Sequence, residues 1–416
     1  VLWLCLPFAL LRLVLKSRNN PSYRKRIAER LSFNLPKLNG CILVHAVSVG
    51  ETIAAKPLIE ELLLDHPHRE ILVTSTTPTG SDRVIANFGH RVVHCFLPFD
   101  TRWFTSRFIK SCRPAVVIII ETEIWPNLID QCYRRSIPVI LANARMSARS
   151  YKGYQKFRTL SRPTLRKITR IAAHAQPDAA RFLALGVAQD HLLVTGSLKF
   201  DLEIPPTLAH QADNFKQSFG RDRFIWVAAS THEGEEDQIV QAVVQINAHC
   251  NNALCLIVPR HSERFDTVHR LLEQSQLPFV RLSEIQIPDD EIPQETQIVL
   301  CDTMGQLLLF YALANAAFVG GSLVQVGGHN VLESLASNTA TIVGPHMFNF
   351  QSIHDLLRDA QAIIEVQNAH ELAASIIRLY DDKQLEVNLS ARGHQVIQKN
   401  RGALERLVTL IRQQIE

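Results

Sequence analysis

The sequence predicts an α/β protein built from two doubly wound domains, and three observations carry that prediction. Short, continuous, β-branched apolar runs alternate with helix-like stretches along nearly the whole chain, as strands covered on both faces require. The alternation breaks once in the middle, at Pro205-Pro206. A length of 416 residues fits two or three domains at about 150 residues each. At 46% hydrophobic and 20% charged, the composition excludes a disordered or fibrous chain.

The first element is VLWLCLPFALLRLVL, residues 1–15, apolar except for Arg12. It is shorter than the roughly 20 residues that cross a bilayer. Its charges (Lys16, Arg18, Arg24, Lys25, Arg26, Arg30) follow the apolar run, and no small-residue cleavage site is present, so it does not read as a signal peptide. Residues 1–36 are therefore expected to be an uncleaved membrane-associated helix with a basic flank, embedded or just spanning, with the remaining chain on the cytoplasmic side. A buried core helix is the alternative.

The runs at 41–47, 70–75, 91–97, 115–120, 138–143, 170–174 and 192–196 give a first domain over 37–205. Those at 224–229, 253–259, 278–282, 297–302, 315–321 and 341–344 give a second over 206–381. Residues 382–416 read as helical and are expected to pack back across the first domain. The eight cysteines are scattered through apolar runs without a C-x-x-C, which predicts buried thiols and neither a zinc site nor a disulfide framework.

In doubly wound sheets ligands bind beyond the carboxyl ends of the strands, so a cleft between the two domains is the expected site. The first run leads into HAVSVGE, where Ser48 and Glu51 match a capping box; Glu51 could equally serve as a general base. The fourth ends in ETEIWPN, placing Glu121 and Glu123 on one face if the strand persists, as a paired acid site, or leaving one of them to begin a helix. From Arg134 to Arg170 there are eleven basic residues and no acidic one. RNA is a poor partner because no aromatic stacking motif accompanies them, and a net charge of +4 does not require nucleic acid, so anionic lipid is preferred. In the second half, FVGGSLVQVGGHNVLESLA pairs glycines with a helix start, where amides could meet a phosphate and Asn330 and Glu333 could either bind ribose or cap the helix. Ser230-Thr231-His232, Pro259-Arg260-His261 and GPHMFNF follow other strands of the same sheet, and Arg260 suits a phosphate.

Taken together, HAVSVGE, TSTTPTG, ETEIWPN, LANARMS, TGSLKFD, ASTHEGEE, VPRH, VGGSLVQVGGHNVLES and GPHMFNF resemble, in order and over nearly the whole chain, the 3-deoxy-D-manno-octulosonic acid (Kdo) transferases of lipopolysaccharide synthesis. One departure is Glu333-Ser334, where the family pattern has Glu-Pro. The resemblance implies a GT-B glycosyltransferase with two Rossmann-like domains facing a cleft, at the cytoplasmic face of the inner membrane. It would move Kdo from CMP-Kdo to a phosphorylated lipid A precursor with inversion, without a bound metal or other cofactor. It also implies that Glu51 is the base, that Lys199 lines the substrate site with Glu121 or Glu123, and that Ser230, Thr231, Arg260, Gly328, His329, Asn330 and Glu333 surround the CMP. A nucleotide-sugar epimerase on the same two-domain fold is the alternative, but it gives the N-terminal segment and the basic run no purpose.

Overall fold

Two wholly parallel sheets organise the chain in this computed structural model, which describes residues 2–202 and 204–415; the side chains of residues 2–5, 8–10 and 19 lie outside the described set, and with them Cys5 and much of the apolar N-terminal run. The first sheet contains β1 (Ile42–His45), β2 (Ile71–Ser75), β3 (Val93–Phe96), β4 (Val116–Ile120), β5 (Val139–Ala144), β6 (Arg170–Ala173) and β7 (Leu192–Val194) in the order β3-β2-β1-β4-β5-β6-β7. The second contains β8 (Phe224–Thr231), β9 (Ala253–Pro259), β10 (Phe279–Arg281), β11 (Ile298–Leu300), β12 (Ala316–Val319), β13 (Ala340–Val343) and β14 (Ile364–Glu365) in the order β10-β11-β9-β8-β12-β13-β14. Every run assigned above to one of the two domains holds a strand. The two-residue edge strand β14 was not foreseen, because two residues carry no periodicity.

The alternation of side chains explains why these runs are uninterrupted. In the first sheet Ile42, Val44, Val116, Ile118 and Ile120 enter one core layer, while Leu43, Val117 and Ile119 enter the layer on the opposite face. The second sheet repeats this with Phe224, Trp226 and Ala228 on one side and Ile225, Val227 and Ala229 on the other. In the central strands neither face is wet, so no polar alternation is selected. The seven described cysteines are buried free thiols.

The chain divides into two compact units, Val1–Asp201 with Asn400–Glu416, and Leu202–Lys399. The expectation that residues 382–416 pack back on the first domain needs correcting. Helix Lys383–Asn400 belongs to the second unit, where Leu389 joins the core and Gly393 lies so close to Leu335 that a Cβ would be 2.4 Å from its Cδ2. Only helix Ala403–Ile415 joins the first unit, burying Leu407, Val408 and Ile411 on its sheet. Asp201 fixes the return by accepting from the amides of Gly402 and Leu404, both at 2.6 Å.

The N-terminal flank also differs from expectation. Helix Leu2–Asn19 runs through Pro7, and no helix among the described residues is long and apolar enough to cross a membrane. Arg26 and Arg30 are structural and do not form a free basic face. Arg30 is 4% exposed, donates to the Thr76 carbonyl at 2.8 Å and lies 4.0 Å from the Phe96 ring centroid, and burial lowers its pKa to about 10. Arg26 donates to the His94 carbonyl and to Glu29, whose other oxygen accepts from the Phe96 amide.

Candidate active site

Each sheet has one point where the crossover direction reverses, between β1 and β4 in the first unit and between β8 and β12 in the second, and each has chemistry-bearing residues there.

At the first, β1 turns through Ala46-Val47-Ser48 into helix Val49–Asp65. Ser48 caps that helix by accepting from the Glu51 amide at 3.4 Å. Glu51 answers from its own side chain, accepting from the Val47 amide at 2.7 Å and from the Ser48 hydroxyl at 3.1 Å. The capping box is therefore present. It does not exhaust the carboxyl group's properties: Glu51 is 9% exposed and its pKa is pushed up to about 7. Burial is the main cause, and the carboxylates of Glu123 and Glu121 add to it against the Val47 amide and Ser48.

β4 ends at Ile120, and Glu121 has a left-handed backbone with φ of 59°. The strand does not persist, so alternation is not what brings Glu121 and Glu123 to one side; the turn gathers them near Glu51. Burial, then Glu121, raises the pKa of Glu123. Neither glutamate begins the following helix. Asp100, just beyond β3, does so by accepting from the amides of Asn127 (2.9 Å) and Leu128 (2.8 Å). Lys199 lies in the short turn Leu198–Phe200 after β7. Burial lowers its pKa, Glu121 opposes that shift and Arg145 reinforces it. Asn143, left-handed at the end of β5, holds this turn by accepting from the Leu198 amide. Arg145 and Tyr154, whose pKa burial and then Glu123 raise, complete the polar surroundings. The sequence did not single them out, although Arg145 stands in the LANARMS motif. His45 of HAVSVGE is fully buried against Thr74 and Trp125.

In the second unit β8 bulges at Ser230, which has a φ of 55°, where its register against β9 shifts. Thr231 is fully buried and donates to Glu236, so its hydroxyl is turned inward, away from any ligand. The residue missed by sequence reasoning is Glu235. It accepts from the amides of His232, Gly321, Ser322 and Leu323 at 2.7–3.0 Å, tying the end of β8 to the glycine loop after β12. Burial still raises its pKa above the usual carboxylate range. Helix Leu332–Ala336 has only five residues, and Asn330 occupies its first amide by accepting from Leu332 at 3.2 Å. Asn330 also donates to Glu333 at 2.9 Å; burial raises the Glu333 pKa, against Asn330 and Arg260. Gly328, with φ of 76°, admits no side chain, since a Cβ would lie 2.2 Å from the Met347 sulfur. Beside this loop His232 and His329 lie edge to edge in nearly one plane, with His261 edge-on to His232.

The comparisons with known proteins decide the family. The chain is 41% identical to the 3-deoxy-D-manno-octulosonic acid transferase of Haemophilus influenzae over 100% of its own length and 97% of that protein's. The chain belongs to the Kdo transferase family. A second Kdo transferase, from Bordetella pertussis, is 35% identical over 77% of this chain and 74% of its own. The family model "3-Deoxy-D-manno-octulosonic-acid transferase (kdotransferase)" matches residues 25–202. Among solved structures, the glycosyltransferase of Rickettsia africae aligns with a TM-score of 0.55 over 91% of this chain and 99% of its own, at 12% identity. UDP-GlcNAc 2-epimerase of Neisseria meningitidis, bound to UDP-GlcNAc, aligns with a TM-score of 0.57 over 89% of this chain and 99% of its own, at 13% identity. At those identities the likeness concerns the fold, which is GT-B, two Rossmann-like units. A Kdo transferase is a glycosyltransferase, and the epimerase alternative keeps only the shared fold.

Proposed function

We propose that this Kdo transferase moves Kdo from CMP-Kdo to a phosphorylated lipid A precursor with inversion, Glu51 acting as general base. The observation that carries the reading is the Glu51 carboxyl, poised at about 7 at a sheet switch point. A base works best with a pKa near working pH, and here burial and two neighbouring carboxylates supply that tuning. Lys199 is proposed to meet an anionic group of substrate, the Kdo carboxylate or an acceptor phosphate. In the second unit Arg260, Gly328, His329, Asn330 and Glu333 would surround CMP, Arg260 and the imidazoles opposing the charge of the departing phosphate.

The enzyme is proposed to work at the cytoplasmic face of the inner membrane, embedded in it. Leu11, Val14 and Leu15, spaced along one helix face, are 44–55% exposed, which supports an in-plane helix. In the basic run Arg134 and Lys167 are engaged with Asp130. Lys152, Lys156 and Arg158 remain exposed beside Phe157 and Leu160, themselves 69% and 58% exposed, and this mixture suits an anionic lipid surface.

Purified protein given CMP-Kdo and tetraacylated lipid A precursor should release CMP and yield a heavier lipid by mass spectrometry. Glu51→Gln should lose turnover by at least about 100-fold and still be stabilised by CMP. Retained turnover would remove Glu51 from the base role.

A further inference from the structure

Several amides of the loop after β12 are already occupied. Glu235 occupies the amides of Gly321, Ser322 and Leu323, the Gly321 carbonyl those of Gly327 and Gly328, and Asn330 that of Leu332. Side chains are the further donors that an arriving anion can meet. Arg264 is engaged with Glu236 and Glu233, while Arg260 and His261 are exposed and His232 and His329 half-buried.

The last two are unusual in their geometry. Their rings are parallel within 6°, their centroids 5.0 Å apart and their Nε2 atoms 2.7 Å apart. Two lone pairs or two N–H groups would repel at that distance, so one Nε2 carries the proton and the other accepts it. The donor ring can add a proton at its Nδ1 and keep this bond, which then becomes charge-assisted; a second added proton would break it. The charged groups facing the pair are Arg260 and Arg264, and the titratable one is His261. One carboxylate, Glu235, bonds to the His232 amide, but it is saturated by four amides. Burial first, then neighbours that include Arg260, lower the pKa of both rings, that of His329 to about 4. A bound phosphate dianion would reverse the sign of the local field.

We infer that the hydrogen-bonded His232–His329 pair takes up one proton from solvent when the donor nucleotide's phosphate binds, so that His232 acts with His329 as a proton-coupled phosphate receptor. This rests on the reading of the second unit as the CMP site.

Calorimetric titration of the full chain with CMP, in two buffers of different ionisation enthalpy at about pH 7.5, where a phosphate monoester with a second pKa near 6 is already dianionic, counts the protons. The expected result is net uptake approaching one proton, with CMP affinity falling up to about tenfold per pH unit as pH rises. His232→Asn, checked for folding by circular dichroism, should bind CMP more weakly with no uptake, and His329→Asn should do the same. CMP binding without uptake in the wild-type protein would overturn the inference whatever the variants do, as would uptake unchanged in either folded variant. Absence of CMP binding would instead overturn the nucleotide reading itself, and the inference with it.

Discussion

Glu51 closes a capping box with the same carboxyl group that we propose as the base, and a conservative change separates the two. Glutamine retains an oxygen for the Val47 amide, so the capping box survives while the base is lost. The raised pKa also fixes a stability window. A carboxyl whose folded pKa lies near 7, against roughly 4.3 when unfolded, favours the folded state fully at low pH and loses that contribution as pH rises between the two values. Glu51→Gln should therefore melt higher than wild type at about pH 8 and match it near pH 4, and the wild-type rate should rise through an acidic limb near pH 7, both checked by thermal melts and a pH–rate profile. At Gly328, alanine meets both a left-handed backbone and the Met347 sulfur. Gly328→Ala should cost about 1–3 kcal/mol and weaken CMP binding, read by melting temperature with and without CMP. Residue-level legibility was uneven for a physical reason. Glu51 and Asn330 bond within four residues and could be read as caps, whereas Glu235 reaches amides 86–88 positions away and Asp100 caps a helix 27 positions on.

Among the elements, strands were readable because the central strands of each sheet are buried on both faces, so their runs are predominantly apolar. Turns were less so: β4 stops one residue before Glu121, and a left-handed backbone there replaces the alternation that the sequence suggested. Helix Pro126–Tyr133 illustrates the same limit, its start secured by a distant aspartate. Asp100→Ala should destabilise by about 1–2 kcal/mol, since two amides lose a buried acceptor, and a chemical denaturation series would measure this. The paired helices Ala148–Lys156 and Arg158–Leu165 make a separate prediction. Serine at both Phe157 and Leu160 should leave the melting temperature nearly unchanged, because both side chains face solvent, while lowering co-sedimentation with vesicles rich in anionic phospholipid several-fold.

For the whole molecule, the two-sheet architecture followed from the alternation of runs, but the parentage of the C-terminal helices did not. Residues 382–416 read as one helical tract, and nothing local marks Gly402 as the point where the chain changes partner. What decides it is Asp201, two hundred positions earlier, seizing two amides of the returning segment. Arg412 adds an ion pair to Asp65 within the first unit. Deleting Ala403–Ile415 should uncover Ile42-side core residues, each buried apolar side chain being worth roughly 1.5–3 kcal/mol, and abolish cooperative melting of the first unit. The isolated span Leu202–Lys399, an unbroken piece of chain, should still melt cooperatively. The lobe that carries the carboxylates is thus stitched from two distant stretches of polypeptide, with the other unit threaded between them as an insert. A nonsense codon ahead of Ala403 would injure the half of the enzyme whose coding sequence it leaves almost untouched, so damage written at the end of the message would surface at its beginning.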